Sequence, residues 1–183
     1  MQELSLNILD ITDNSIKAKA ELINIDVIVE DNVLTIRIKD NGCGMSEEFL
    51  QKVTDPYSTT RKTRNVGLGI PFFKMEAELS GGTFDIQSKL GVGTIVTATF
   101  LVDSIDRPPL GDLAETMVAL VPACATCDII FTCGFNGEEF VFDTRELKEQ
   151  LGGADSLEEP FVLQFIREMI QENIQSIIGG AIL

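Results

Sequence analysis

The amino-acid sequence predicts an α+β protein in which helices cover one face of a mixed, mostly antiparallel sheet. Three observations lead to this prediction. Leu4 to Ala20 repeats its apolar residues at the spacing of an amphipathic helix. Two strand-like runs follow, Asn24 to Glu30 and Val33 to Lys39, joined by the polar pair Asp31-Asn32, which suits a hairpin turn. A second helix and two more strand-like runs then repeat this order.

The middle of the chain supplies those later elements. Ser46 to Lys52 predicts a short helix, because a serine cap precedes two glutamates in the first turn. Thr54 to Val66 is polar, has no clear period and predicts a loop. Gly67-Leu68-Gly69 opens a helix that ends near Leu79, before two further glycines. Strands are expected near Thr83 to Ser88 and Thr94 to Val102, linked by Leu90-Gly91-Val92-Gly93.

The run from Arg107 to Asp112 interrupts this order with two prolines and a glycine, a composition typical of a linker. We therefore predict a first domain over residues 1–106, a linker over residues 107–112 and a small α+β domain over residues 113–183. The expected elements of the second domain are strands at Met117 to Val121, Asp128 to Thr132 and Glu139 to Asp143, then helices at Thr144 to Leu151 and Glu158 to Ile178.

Composition argues against several classes of protein. The 183 residues are 44% hydrophobic and 23% charged, as in globular proteins. No apolar run approaches the ~20 residues that span a bilayer, and the amino terminus lacks the basic start of a signal peptide. These features predict a cytoplasmic protein without a membrane segment. The net charge of -15 disfavours nucleic acid as a partner, and the absence of histidine removes the commonest general base.

Four separated motifs carry residues suited to ligand binding. They are Asp10-x-x-x-Asn14-Ser15 on a predicted helix, Asp40-Asn41-Gly42-Cys43-Gly44-Met45 after a strand, Gly67-Leu68-Gly69-Ile70 at a helix start and Gly91-Val92-Gly93-Thr94 between strands. Their order and spacing resemble the GHKL ATPases, the superfamily of gyrase, the Hsp90 chaperones, histidine kinases and MutL. The resemblance covers roughly residues 3–102. It implies a Bergerat-type ATP-binding sandwich, and Pro56 to Arg61 looks most like the lid of the histidine-kinase branch.

The resemblance also implies roles for individual residues. Asp40 would accept a hydrogen bond from the adenine amine, with Gly42, Gly44 and Met45 beside it; an ordinary Asp-Asn-Gly turn is the alternative. Asn14 would bind Mg²⁺ through its amide oxygen, a hard ligand. Asp10 stands where the family usually has a glutamate as general base. Aspartate is one methylene shorter than glutamate, so we expect the turnover of ATP to be slow or absent.

The predicted lid would hold the phosphates. Its candidate donors are Ser58, Thr59, Thr60, Arg61 and Lys62, and the basic cluster stands out in an acidic chain. The backbone amides of Gly67, Leu68 and Gly69 form a helix start that favours an anion. Thr94 matches the last glycine motif and would approach the nucleotide. A solvated basic loop and a plain hairpin turn are the respective alternatives.

Two features of the second half of the chain each have two possible interpretations. Cys124, Cys127 and Cys133 have a spacing that could hold a metal, but their apolar neighbours favour ordinary buried thiols. The carboxy-terminal helix, with Phe161 and Phe165, predicts either a packed core or a surface for self-association into a homodimer.

The sequence thus predicts a protein that uses ATP and Mg²⁺. One hypothesis is a protein kinase or regulatory ATPase that acts in trans on a regulatory partner protein, because the chain has no histidine of its own to phosphorylate. The other is a non-catalytic ATP-sensing module that controls a partner through closure of its lid.

Overall fold

A computed structural model describes residues 3–53, 69–123, 126–153 and 155–179 of the chain. A six-stranded sheet forms its centre, with the strand order β3-β4-β2-β1-β5-β6. All neighbouring strands pair antiparallel except β1 and β5, which are parallel. The elements are α1 (Leu4–Lys17), β1 (Leu22–Glu30), β2 (Val33–Asp40), α2 (Glu47–Val53), α3 (Gly69–Leu79), β3 (Phe84–Lys89), β4 (Gly93–Leu101), α4 (Leu113–Ala123), β5 (Asp128–Phe135), β6 (Glu138–Asp143), α5 (Thr144–Leu151) and α6 (Pro160–Ile178).

The predicted α+β class is confirmed, with helices packed on one face of a mixed and mostly antiparallel sheet. Alternate strand residues such as Ile25, Ile36 and Phe131 are buried in a core that they share with the helices. Residues between them, such as Arg37, face away from this core and are more exposed. The β1–β2 hairpin turns through Asp31 and Asn32, both with positive φ, as the polar pair predicted.

The prediction of a strand at Met117 to Val121 is wrong, because these residues lie inside helix α4. Met117, Leu120 and Val121 are buried at helical spacing, where α4 packs against α1 and α6. A short apolar run fits a buried strand and a buried helix equally well, so only tertiary packing decides between them.

The boundary predicted at residues 107–112 does not separate two cores. Strand β5 pairs with β1 in the same sheet, with Phe131 opposite Ile25. The predicted linker also packs on the first helix, since the amides of Leu4 and Ser5 donate to the carbonyls of Pro109 (3.0 Å) and Leu110 (2.8 Å). These bonds satisfy two amides at the amino terminus of α1. Residues 113–179, where described, therefore extend the sheet of the first hundred residues.

The described residues contain no helix that is both long enough and apolar enough to cross a membrane.

Candidate functional site

A cleft of about 860 Å³ opens beside the carboxy-terminal end of β2. Helix α1 forms one wall, and the loop after β2 with helix α2 forms another. Strand β4 and the first turn of α3 complete the lining. The residues around it include Ile11, Asn14, Ser15, Lys17, Ala18, Ile38, Asp40, Cys43, Gly44, Met45, Phe49, Val53, Ile70, Leu90, Thr94 and Val96.

Asp40 is the buried polar centre of this cleft, with only 8% of its surface exposed. Its Oδ2 accepts a 2.7 Å hydrogen bond from the hydroxyl of Ser15. Its Oδ1 accepts from the backbone amides of Gly42 (2.8 Å) and Thr94 (3.3 Å). These donors fix the plane of the carboxylate while it borders the cleft. Three of the four sequence motifs therefore meet at one side chain.

Two glycines allow the backbone segments around Asp40 to approach each other. Gly44 has a φ of +63°, and a Cβ there would collide with the carbonyl of Lys89. Gly93 has a φ of +132°, and a Cβ there would collide with the carbonyl of Asp40 itself. Other residues rarely adopt these conformations. Gly44 and Gly93 are thus required by the close contact between the loop after β2 and the β3–β4 turn.

A small hydrogen-bond network connects the same two segments. The amide of Met45 donates to Ser88 Oγ over 2.8 Å, and that hydroxyl lies 2.8 Å from Thr94 Oγ1. Thr94 in turn bonds to Asp40 through its amide. The network places the predicted residues Met45 and Thr94 together on the wall of the cleft.

Besides Ser15, helix α1 presents two other polar side chains to the cleft, Asn14 and Lys17. An ion pair with Asp13 raises the pKa of Lys17, so this ammonium is charged at neutral pH. Asp10, the predicted general base, is exposed and is not among the cleft-lining residues. It lies beside the start of α3, where a Cβ on Gly69 would be 3.3 Å from the Cβ of Asp10.

Most of the predicted phosphate-binding residues lie outside the described part of the chain. Ser58, Thr59, Thr60, Arg61, Lys62, Gly67 and Leu68 belong to residues 54–68. The residues that flank this segment are placed, and Val53 and Ile70 both line the cleft. The described residues on either side of this segment therefore lie at the wall of the cleft.

Sequence reasoning missed several residues that shape the site. Ser15 belongs to the first motif, and its position directly after Asn14 is a usable signal. Ser88 carried no signal in the sequence. Ala18 contributes its backbone, because its carbonyl accepts from the amide of Cys43 over 2.9 Å and would lie 2.9 Å from a Cβ on Gly42. Gly42 is therefore tightly enclosed, as the motif suggested.

The cysteines favour the buried-thiol interpretation. Cys127 and Cys133 are buried, and burial raises the pKa of Cys133 to about 11. A thiol with such a pKa stays protonated at neutral pH, whereas metals bind the thiolate. Cys124 lies outside the described residues. Among those described, no three histidine, cysteine or acidic side chains are grouped as a metal site would require.

The sequence also matches a family model, described as histidine kinase-, DNA gyrase B- and HSP90-like ATPase, over residues 2–104. This match includes every element that contributes to the cleft. The chain belongs to this ATPase family. The GHKL resemblance drawn from the four motifs is thereby confirmed.

Relatives of this ATPase domain include proteins named as sensors and kinases. A putative sensor protein of Shewanella frigidimarina is 32% identical over 107 residues, which are 58% of this chain and 16% of that protein. The sensor histidine kinase YvrG of Bacillus subtilis is 32% identical over 93 residues, 48% of this chain and 16% of that protein. The chain thus spans about a sixth of these relatives.

One solved structure, the MutL ATPase domain of Aquifex aeolicus complexed with ADP, aligns with a TM-score of 0.49 and 17% identity. The alignment covers 81% of this chain and 67% of that one.

Proposed function

We propose that the cleft binds ATP, with Asp40 as the acceptor for the adenine amine. The observation that carries this proposal is the convergence of Ser15, Gly42 and Thr94 on a carboxylate that borders an otherwise largely apolar cleft. A fixed carboxylate beside apolar side chains such as Ile38 and Val96 suits a flat ring with one polar edge. Membership in an ATPase family supports the same ligand.

Asn14 is the proposed Mg²⁺ ligand. Its side chain lines the cleft, and no hydrogen bond joins it to another side chain of the described residues. Amide oxygens together with phosphate oxygens are the hard donors that Mg²⁺ prefers. When bound, Mg²⁺ would offset the phosphate charge. Ser58, Thr59, Thr60, Arg61 and Lys62 are the proposed phosphate contacts, and the described residues Val53 and Ile70, on either side of them in the sequence, line the cleft.

We infer further that the bound nucleotide serves a partner protein in trans, through phosphoryl transfer or regulated hydrolysis. The kinship with sensor histidine kinases supports a signalling role. These 183 residues contain no histidine, so any phosphohistidine would form outside them. In this scheme the Asp10 carboxylate accepts the proton of the attacking imidazole, hydroxyl or water, the γ-phosphoryl group passes to that nucleophile, and ADP leaves. The exposed position of Asp10 at the α1–α3 contact leaves room for the attacking group.

The second candidate is a non-catalytic ATP sensor, which the exposed and shortened carboxylate at position 10 favours. Incubation with γ-labelled ATP and Mg²⁺, with and without purified histidine-kinase substrate proteins, separates the two. Removing a general base by Asp10→Asn should lower turnover about 10²- to 10⁴-fold if the protein is an enzyme. Asp31→Asn, in an exposed turn far from the cleft, is the matched control. An equal, slow rate in all three proteins would support the sensor.

A further inference from the structure

Helix α6 carries an outward stripe that is distinct from its packing face. Phe161, Phe165, Glu168 and Glu172 follow one another at spacings of four, three and four residues, so they lie on one side of the helix. We call these residues the α6 outer stripe. The opposite side, with Val162, Ile166 and Ile170, is buried in the common core.

The two phenylalanine side chains of the stripe are largely exposed and are not buried in the core. Phe161 is 79% exposed and Phe165 is 51% exposed. They are neighbours on the helix surface, one turn apart, and together form an apolar patch beside glutamates. The hydration of two adjacent aromatic rings is unfavourable, and such patches with a polar border mark interaction sites. The packing of the described residues gives no reason for aromatic side chains at these positions.

The charge around the stripe is negative, and no basic side chain in the described part of the chain forms an ion pair with it. Glu168 and Glu172 lie on it, and Glu158 and Glu159 immediately precede the helix. The basic residues that follow position 108 are all ion-paired with other carboxylates. These pairs are Arg145 with Asp143 (2.6 Å), Lys148 with Asp128 (2.8 Å) and Arg167 with Glu115 (3.0 Å).

We propose that the α6 outer stripe is the docking surface for a partner protein segment that carries apolar and basic side chains on one helical face. Apolar side chains would cover Phe161 and Phe165, and Lys or Arg residues would pair with Glu168 and Glu172. A second copy of this chain fits poorly, since it would bring two stripes of glutamates and two net charges of -15 together. The surface lies outside residues 2–104, the part of the chain that matches the ATPase family.

The probe is a synthetic helical peptide with leucine at the a and d positions of each heptad and lysine at the others. The same peptide with glutamate in place of lysine is its control. Fluorescence anisotropy at physiological salt should show binding of the lysine peptide alone. Phe161→Ser together with Phe165→Ser should weaken it about tenfold or more, because truncation of central aromatic contacts has effects of this size. Val141→Ser is the control. Val141 is 55% exposed on the face of β6 that points away from the core, so its substitution should have no effect on peptide binding.

A pair of charge reversals separates local pairing from the general acidity of the protein. Glu168→Lys with Glu172→Lys should weaken the lysine peptide strongly. Asp103→Lys with Asp106→Lys makes the same change of net charge at exposed positions after β4 and should weaken it little. Equal weakening by both pairs, or equal binding by wild type and the double serine variant, would overturn the proposal.

The same variants also test two other functions of the α6 outer stripe. Sedimentation of wild type as a dimer, abolished by the double serine variant, would show that the stripe is a self-association surface and overturn the proposal. Binding to phosphatidylcholine vesicles that is lost in that variant would overturn it in favour of a membrane surface. Melting curves of all variants check that they fold, which the exposure of the altered side chains predicts.

Discussion

The hydroxyl of Ser15 donates a 2.7 Å hydrogen bond to the carboxylate of Asp40, linking the first helix to the end of β2. Ser15 is only 4% exposed, so water cannot easily replace this donor. The bond joins the motif around Asn14 to the motif around Asp40, which are far apart in the sequence. It identifies Ser15 as a residue that positions the proposed adenine acceptor.

Replacement of Ser15 by alanine should therefore weaken ATP binding. Loss of a buried donor to a charged group leaves Asp40 less well oriented, and we expect a reduction of about fivefold to tenfold, ~1 to 1.4 kcal/mol. Ser5→Ala is the control, because Ser5 is 2% exposed on the same helix but faces Glu3 rather than the cleft. Isothermal titration calorimetry measures both, and equal affinities in the two variants would refute the positioning role.

Gly44→Ala should destabilise the fold more than Gly91→Ala. Both glycines have positive φ, +63° and +75°, but a Cβ at Gly44 would collide with the Lys89 carbonyl, whereas a Cβ at Gly91 meets nothing within 4 Å. We expect a loss of about 2–4 kcal/mol in the free energy of unfolding at Gly44 and about 1 kcal/mol at Gly91. Urea unfolding gives both values, and similar losses would contradict the proposed close approach.

The pair of Asn7 and Glu76 predicts a pH-dependent effect on stability. Burial raises the pKa of Glu76 above 4.5, and the hydrogen bond from Asn7 opposes this only in part. The unfolded chain therefore loses this proton at a lower pH than the folded protein. The stability contributed by Glu76 is present below the unfolded pKa and falls as the pH rises through the folded pKa.

Glu76→Gln should remove this loss. The variant should gain stability relative to wild type as the pH rises above 4.5, with a constant gain once Glu76 is fully ionised in the folded wild type. A glutamine amide can also donate to Asn7 Oδ1, a buried atom without a hydrogen-bond partner among the described residues. Urea unfolding across the pH range measures the gain. The control is Glu78→Gln, an exposed residue on the same helix, and an identical pH profile for both variants would disprove the assignment.

A chain truncated after residue 106 should not fold as an independent unit. It lacks β5, which pairs with β1 along its length, and α4 and α6, which cover α1 and the sheet. Truncation would expose buried residues such as Leu4 and Val27 and leave an open edge on β1. Circular dichroism during heating should show no cooperative transition. A transition like that of the whole chain would restore the predicted two-domain division.

The sequence predicted the cleft side of the fold well because each signal there is local. The apolar period of α1, the Asp31-Asn32 turn and the glycines at 44 and 93 each constrain their own few residues. The four motifs then indicated which of these elements meet, and Asp40 does lie where three of them converge.

The errors arose where long-range packing decides the structure. Met117 to Val121 carries no period that separates helix from strand, and its helix is selected by contact with α1 and α6. The prolines after Arg107 resemble a linker, but the carbonyls of Pro109 and Leu110 are fixed by the start of α1. Such a contact spans more than a hundred residues of sequence and leaves no local pattern. Ser88 was missed for the same reason, since its role depends on its neighbours Met45 and Thr94.

The most direct test of the proposed ATP site is the affinity of ATP for wild type and for Asp40→Asn, measured by calorimetry with Mg²⁺. The substitution keeps the size of the side chain but replaces one acceptor oxygen with a donor amide. We predict measurable binding to wild type and a loss of about 1–3 kcal/mol in the variant, whereas Asp85→Asn, exposed on β3, should bind as wild type does. The same affinity in wild type and Asp40→Asn, or no binding of ATP to the wild type, would contradict the account.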